Sequence, residues 1–218
     1  QLFLLLLKLI LQFDERAVFH ATNLRHAWIH GNQFTLGRLR GNPVVLWATE
    51  HCTIEHNRGY RSTRGFVWQV HGDFGHYRNF IDTNETEATR FGGNAGGTFL
   101  FEGAGFQWAG RPGEIRANGF TVSGGGFQPD GLQQAFAVVT QGRGLGQYVR
   151  IAGNTATEVS LERDWPVVTP SGDVRIAVMM GTVENAFTNN RDVHCDNSMM
   201  FFAAGMINNR IVRNRSEN

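Results

Sequence analysis

Apolar and polar residues along this chain follow a short echo: an apolar residue, two variable positions, then asparagine. It reads Ile29-His-Gly-Asn32, Ile54-Glu-His-Asn57, Ile81-Asp-Thr-Asn84, Ile115-Arg-Ala-Asn118, Phe187-Thr-Asn-Asn190 and Ile211-Val-Arg-Asn214. The asparagines are separated by 25, 27, 34, 72 and 24 residues in turn. A recurring interval of roughly 25 residues predicts a solenoid, in which each coil stacks on its neighbours. The apolar position then faces inward, and the residues on either side of it face outward. Asparagine at each corner tolerates the left-handed region, and stacked copies can join in an amide ladder.

The irregular intervals locate what departs from the repeat. Coils one to four are expected over residues 13–125, with a loop containing Glu102-Gly-Ala-Gly-Phe-Gln-Trp108 in the longer third interval. Between Asn118 and Asn190 the echo lapses and alternating strands take over. These are 135–140, 147–151, 158–161 and 174–178, punctuated by Gly142-Arg-Gly-Leu-Gly146 and Gly153-Asn154. Short strands joined by Gly and Asn turns predict an antiparallel module. The expected organisation is one domain over 1–218, with an inserted antiparallel module at 128–180. The apolar segment Leu2–Leu11 is too short to span a bilayer as a helix, and it reads as a buried first strand or an end cap. The repeat requires covered ends, so an oligomer or a longer protein is also in view.

Composition supports an all-β interior: 27 glycines and 17 phenylalanines, with only 5 prolines. A formal net charge of +1 gives no electrostatic footprint for nucleic acid and no acidic tail. Cys52 lies two places before Ile54 and should share its inward face, as a buried thiol in preference to a disulfide with Cys195. No zinc-type Cys/His spacing occurs, so no metal site is expected. Gly142-Arg-Gly-Leu-Gly-Gln147 lacks the dinucleotide glycine pattern and leads into a strand, which argues against nucleotide binding.

The insertion's sequence resembles the hairpin inserts of right-handed parallel β-helix proteins. The residues that carry the likeness are Gly142-Arg-Gly-Leu-Gly-Gln147, Gly153-Asn154 and Asp164-Trp-Pro166. Asn185-Ala-Phe-Thr-Asn-Asn190 and Asn209-Arg-Ile-Val-Arg-Asn214 resemble coils of the same superfamily, which includes pectate lyases and phage tailspikes. The resemblance implies a right-handed parallel β-helix that handles polysaccharide, outside the cell or on a cell or virion surface. It implies neither a membrane nor a nucleic-acid partner. A shared fold does not carry a shared site, and no pectate-lyase signature or calcium-binding acidic cluster stands out.

Aligning the coils gives an outward column of His30, Glu55, Asp82, Arg116, Thr188 and Val212. Neighbouring coils lie about 4.8 Å apart, so Glu55 and Asp82 become stacked carboxylates between His30 and Arg116. Two close acids push one pKa up, which suits the acid and base roles of glycoside hydrolysis. Carboxyl separations of about 5–5.5 Å serve retention and about 6.5–9.5 Å inversion. The position before the isoleucine adds Trp28, Phe80 and Glu114, whose aromatics could stack on sugar rings. A solvated ladder of mutually neutralising charges explains the same column without function.

A second candidate is the loop His71-Gly-Asp-Phe-Gly-His76, whose two histidines and Asp73 could hold a metal or perform acid–base work, with His71 and His76 also in reach of substrate. A corner loop with an Asp-type turn is the commoner explanation. Trp108, Glu102 and Asp130 stand beside the irregular segments, where loops commonly carry function. Two functions follow. The superfamily resemblance puts first an enzyme degrading polysaccharide in a groove on the side of the helix, as a hydrolase or a lyase. It needs no cofactor, although a lyase could call on Ca2+. The alternative is a non-catalytic glycan-binding or structural solenoid, such as an adhesin or tail fibre.

Overall fold

The protein is all-β, and a computed structural model describes residues 5–7, 10–13, 19–36, 44–60, 66–69, 75–87, 99–102, 105–195, 200–202 and 205–217. Three parallel sheets form a β-solenoid of about six turns, the parallel β-helix that the echo predicted. The chain divides into two compact units: the solenoid, and an antiparallel unit within residues 104–181.

The first sheet stacks Leu5–Leu7, Ala27–His30, Thr53–Glu55, Phe80–Asp82, Ala186–Thr188 and Arg210–Val212. Its inward column is Ile29, Ile54, Ile81, Phe187 and Ile211, in register from coil to coil. The first four are fully buried, and each contributes roughly 1.5–3 kcal/mol through burial. The second sheet stacks Ile10–Phe13, Gln33–Leu36, Arg58–Tyr60, Glu85–Glu87, Arg191–Val193 and Arg215–Glu217. Both strands of the apolar N-terminal segment join these sheets as parallel partners. The third sheet begins with Phe19–Arg25 and Val44–Glu50, then continues in two separate tracks. One track holds Phe66–Gln69, Phe99–Glu102 and Met200–Phe202; the other holds His76–Tyr77, Thr182–Val183 and Met206–Ile207.

The corners explain the echo. At each corner between the first two sheets, an αL residue precedes the asparagine: Gly31, His56, Thr83, Asn189 and Arg213. Asn32, Asn57, Asn84, Asn190 and Asn214 then form one ladder of side-chain amides. In Asn84, Nδ2 donates to the Ile54 carbonyl at 2.8 Å and to Asn190 Oδ1 at 3.0 Å. Its Oδ1 accepts from the backbone N–H and the Nδ2 of Asn57 at 3.1 and 2.9 Å. The repeated spacing follows directly, because Asn57, Asn84, Asn190 and Asn214 each bond the carbonyl of the inward residue one coil earlier, Ile29, Ile54, Ile81 and Phe187. A second ladder, absent from the sequence reading, runs through Asn79, Asn185 and Asn209 at the corner between the third and first sheets. Cys52 stands in for asparagine one coil earlier. Its N–H donates to Asn79 Oδ1, its thiol donates to the Leu24 carbonyl, and its sulfur accepts from Ala27. Burial pushes the Cys52 thiol pKa up, which disfavours the reactive thiolate; Cys52 and Cys195 are both buried and free.

One coil of the sequence reading is corrected. Ile115–Arg116 does not continue the solenoid; it pairs antiparallel with Gly119–Thr121 across a tight turn at Ala117 and Asn118. The ladder passes straight from Asn84 to Asn190, 106 residues on. Gly119 lies so close to the next strand that a Cβ would meet the Val159 carbonyl oxygen at 2.6 Å. Residues 106–108 of the expected loop and 115–118 of the expected fourth coil therefore belong to the antiparallel unit, whose sheet starts at Phe106 and not at 128, whereas Glu102 ends a solenoid strand. Its order is Phe106–Gly110, Ser171–Met179, Phe136–Arg143, Tyr148–Asn154, Glu158–Leu161, Gly119–Thr121 and Ile115–Arg116. Phe120, Val149, Ile151, Val159, Leu161, Ile176 and Trp165 fill its core. Asn154 ends a strand here and ties Leu132 N–H to the Gln128 carbonyl.

Replacing Asn84 by alanine strands buried partners on two neighbouring coils, each costing about 1–3 kcal/mol. Urea unfolding should show Asn84→Ala destabilised by about 2–4 kcal/mol, against less than about 1 kcal/mol for Asn118→Ala at its exposed turn.

Candidate functional site on the outer face of the first sheet

Two outward columns cover the first sheet. His30, Glu55, Asp82, Thr188 and Val212 stand in register, as do Trp28, Thr53, Phe80, Ala186 and Arg210. The predicted alignment of His30, Glu55, Asp82 and Thr188 is thus reproduced, four of its five polar members, with Arg116 the exception. Trp28 and Phe80 both pair with Thr53 from opposite sides, two coil spacings or about 9–10 Å apart. Phe80 is 42% exposed.

Each carboxylate on this face is already engaged. Trp28 Nε1 donates to Glu55 Oε1 at 2.8 Å, one coil back. Glu55 Oε2 lies 3.9 Å from His56 Nδ1. Asp82 turns to the next coil, where its Oδ1 accepts from the Thr188 hydroxyl and from Asn189 Nδ2. Its Oδ2 accepts from the Thr83 hydroxyl at 2.7 Å. Partial burial disfavours its charge, but these three hydrogen bonds and the nearby His56 together hold the carboxyl below its ordinary pKa. Asp82 is therefore not the raised acid that two stacked carboxylates predict; hydrogen bonds to its charged form outweigh the effect of burial.

Corner residues complete the surface, and these the sequence reading missed. A strand alternates inward and outward, so His56 should point in after Glu55. Its αL conformation breaks the alternation, and Glu55, half-buried, and His56, exposed, both face outward. His26 and His51 occupy the αL position at the other corner, their rings stacked at 5.2 Å. His30 lies 5.0 Å from Trp28 and 5.3 Å from His56, ring centre to ring centre. His30, Glu55 and His56 bring two imidazoles and a carboxylate together, with one ligand atom of each within 4.8 Å of the others. A divalent metal is the cofactor class this set could hold.

The other predicted residues lie elsewhere. Arg116 is a correction: it sits in the antiparallel unit, 3.4 Å from Glu158, because its strand is not a coil. Glu114 leaves the column with it. Trp108 also belongs to that unit, stacked on Phe120 at 6.2 Å. His76 is a correction as a substrate contact, since it is buried and shares a 2.8 Å hydrogen bond with Thr49. His71 and Asp73 lie outside the described residues. On the second sheet, Arg58 pairs with Glu85 and Glu87, and Arg191 with Glu85 and Glu217. That face is the neutralised charge ladder that was weighed for the first.

Comparison with known proteins adds no relative: no family model, curated protein or solved structure matches the chain.

Asp82 also makes stability depend on pH. Its folded pKa lies below its unfolded value of about 3.9, so its contribution is present above pH 4 and lost as pH falls through the folded value. Urea midpoints measured from pH 6 to pH 2 should fall less steeply for Asp82→Asn than for the parent; parallel curves would contradict the hydrogen-bonded carboxylate.

Proposed function

We propose that this protein is a non-catalytic polysaccharide-binding β-solenoid whose contact surface is the outer face of the first sheet. The observation that carries this reading is the engagement of both column carboxylates. Glu55 is held by Trp28, and Asp82 by Thr83, Thr188 and Asn189. A general acid must keep its proton until the leaving group takes it, and Asp82 is set to remain ionised. Trp28 and Phe80 give two apolar platforms on one line of the face, suited to the faces of pyranose rings. Between them Thr53, with His30 and Glu55 alongside, offers hydroxyl, imidazole and carboxylate partners for sugar hydroxyls. The likeness of the sequence to carbohydrate-active β-helix proteins supports polysaccharide as the ligand class.

A second reading, a polysaccharide-cleaving enzyme, is favoured by the register that makes Glu55 and Asp82 direct partners on adjacent coils. Ligand binding would have to displace Thr83, Thr188 or Asn189 to free Asp82 for chemistry, while Trp28 holds only one oxygen of Glu55.

One experiment separates the two. The protein is incubated with a panel of neutral and uronate-containing polysaccharides, binding is measured by affinity electrophoresis, and products are analysed by mass spectrometry. The expected result is retention by at least one polysaccharide without fragments. Trp28→Ala should weaken that retention about 2- to 10-fold, with Asp82→Asn unchanged. Fragments that have gained water, or unsaturated fragments, lost in Glu55→Gln and Asp82→Asn, would establish the enzyme instead.

A further inference from the structure

We infer that His30, Glu55 and His56 form a binding site for one divalent transition-metal ion of the zinc class, bridging two successive coils of the solenoid. The donor set is two imidazoles and one carboxylate, with ligand atoms within 4.8 Å of one another. In a tetrahedral zinc shell, bonds of about 2.0–2.2 Å place neighbouring ligand atoms roughly 3.3 Å apart. The set must therefore contract by about 1.5 Å, which falls within side-chain rotation because the His56 ring is 54% exposed.

The backbone supplies the convergence. His30 and Glu55 are direct partners across parallel strands, about 4.8 Å apart. Glu55 and His56 are consecutive, and the αL conformation of His56 (φ 55°) turns both to the same side. The N–H of His56 is fixed to the Asp82 carbonyl at 3.2 Å, so the corner does not swing freely. Glu55 is oriented as metal ligands commonly are, by a hydrogen bond from outside the ligand set. Trp28 Nε1 occupies Oε1, leaving Oε2, the oxygen nearer His56, for the ion. Asp82 adds negative charge close to His56, which favours a cation. Three protein ligands leave a fourth position open to water or to a ligand oxygen. On the second sheet arginines neutralise the carboxylates, and among the described residues only His30, Glu55 and His56 bring three such ligand atoms within 4.8 Å of one another. This site does not rest on the polysaccharide reading, and either can fail alone.

The test is titration of the full chain with Co2+ and Zn2+, followed by visible absorption and calorimetry. Unchanged near-ultraviolet circular dichroism confirms that each variant is folded. One ion per chain should saturate, with Co2+ showing the absorption of a low-coordinate N/O site. His30→Ala and His56→Ala should each weaken binding at least about tenfold, and Trp28→Phe by about tenfold through loss of the orienting bond. His26→Ala and His51→Ala, at the other corner, should leave it unchanged. Absence of saturable uptake would overturn the site. So would uptake that survives loss of both His30 and His56, or that falls equally in His26→Ala and His51→Ala.

Discussion

The solenoid is held in register by side-chain amides that replace backbone at its corners. A parallel strand pair satisfies its own N–H and C=O groups, but a corner turned by one αL residue interrupts that pairing. Asn84 restores it by bonding a carbonyl of the preceding coil, the amide of the next, and the N–H and amide of Asn57. Each such group left unmade in the interior would cost about 1–3 kcal/mol. The αL residues themselves are unfavourable by about 1–2 kcal/mol each, and include Thr83, whose β-branched side chain resists that region. Their backbone N–H groups are bonded too, as from Thr83 to the Thr188 carbonyl.

This corner also shapes the outer surface. Because the αL residue breaks strand alternation, each side of the coil presents two consecutive outward residues before the buried asparagine. Glu55-His56, Asp82-Thr83 and Thr188-Asn189 are such pairs. In the first, the pair meets His30 and gathers potential metal ligands. In the second and third, the two pairs close on one another, since Thr83, Thr188 and Asn189 all bond Asp82. One backbone device thus gathers two imidazoles and a carboxylate at one level and builds a locked network at the next.

Much of this was readable in the residues. The interior column was announced by Ile29, Ile54, Ile81 and Phe187, and the pairing of Glu55 with Asp82 followed from their alignment. The second ladder was not apparent, because Ala27 and Cys52 occupy its first two positions and only three asparagines remain. Cys52 bonds the Leu24 carbonyl of the earlier coil through sulfur and Asn79 through its N–H, a substitution that composition does not reveal. Ile115-Arg-Ala-Asn118 matched the echo for a different reason: Ala117 and Asn118 make the turn of a hairpin, and the glycine that follows marks a close approach to Val159. His56 was hidden by the assumption of strict alternation, and Arg116 was misplaced with its coil. The direction of Asp82's titration needed the positions of Thr83, Thr188 and Asn189, which no spacing rule supplies.

The most direct test of the amide ladder is hydrogen exchange at assigned asparagine side chains by nuclear magnetic resonance. The Nδ2 protons of Asn57, Asn84, Asn190, Asn79 and Asn185 should exchange slowly and as a group, opening only with larger unfolding. Exchange at those amides as fast as at the exposed Asn118 would contradict the account, because the ladder would then not hold the coils together.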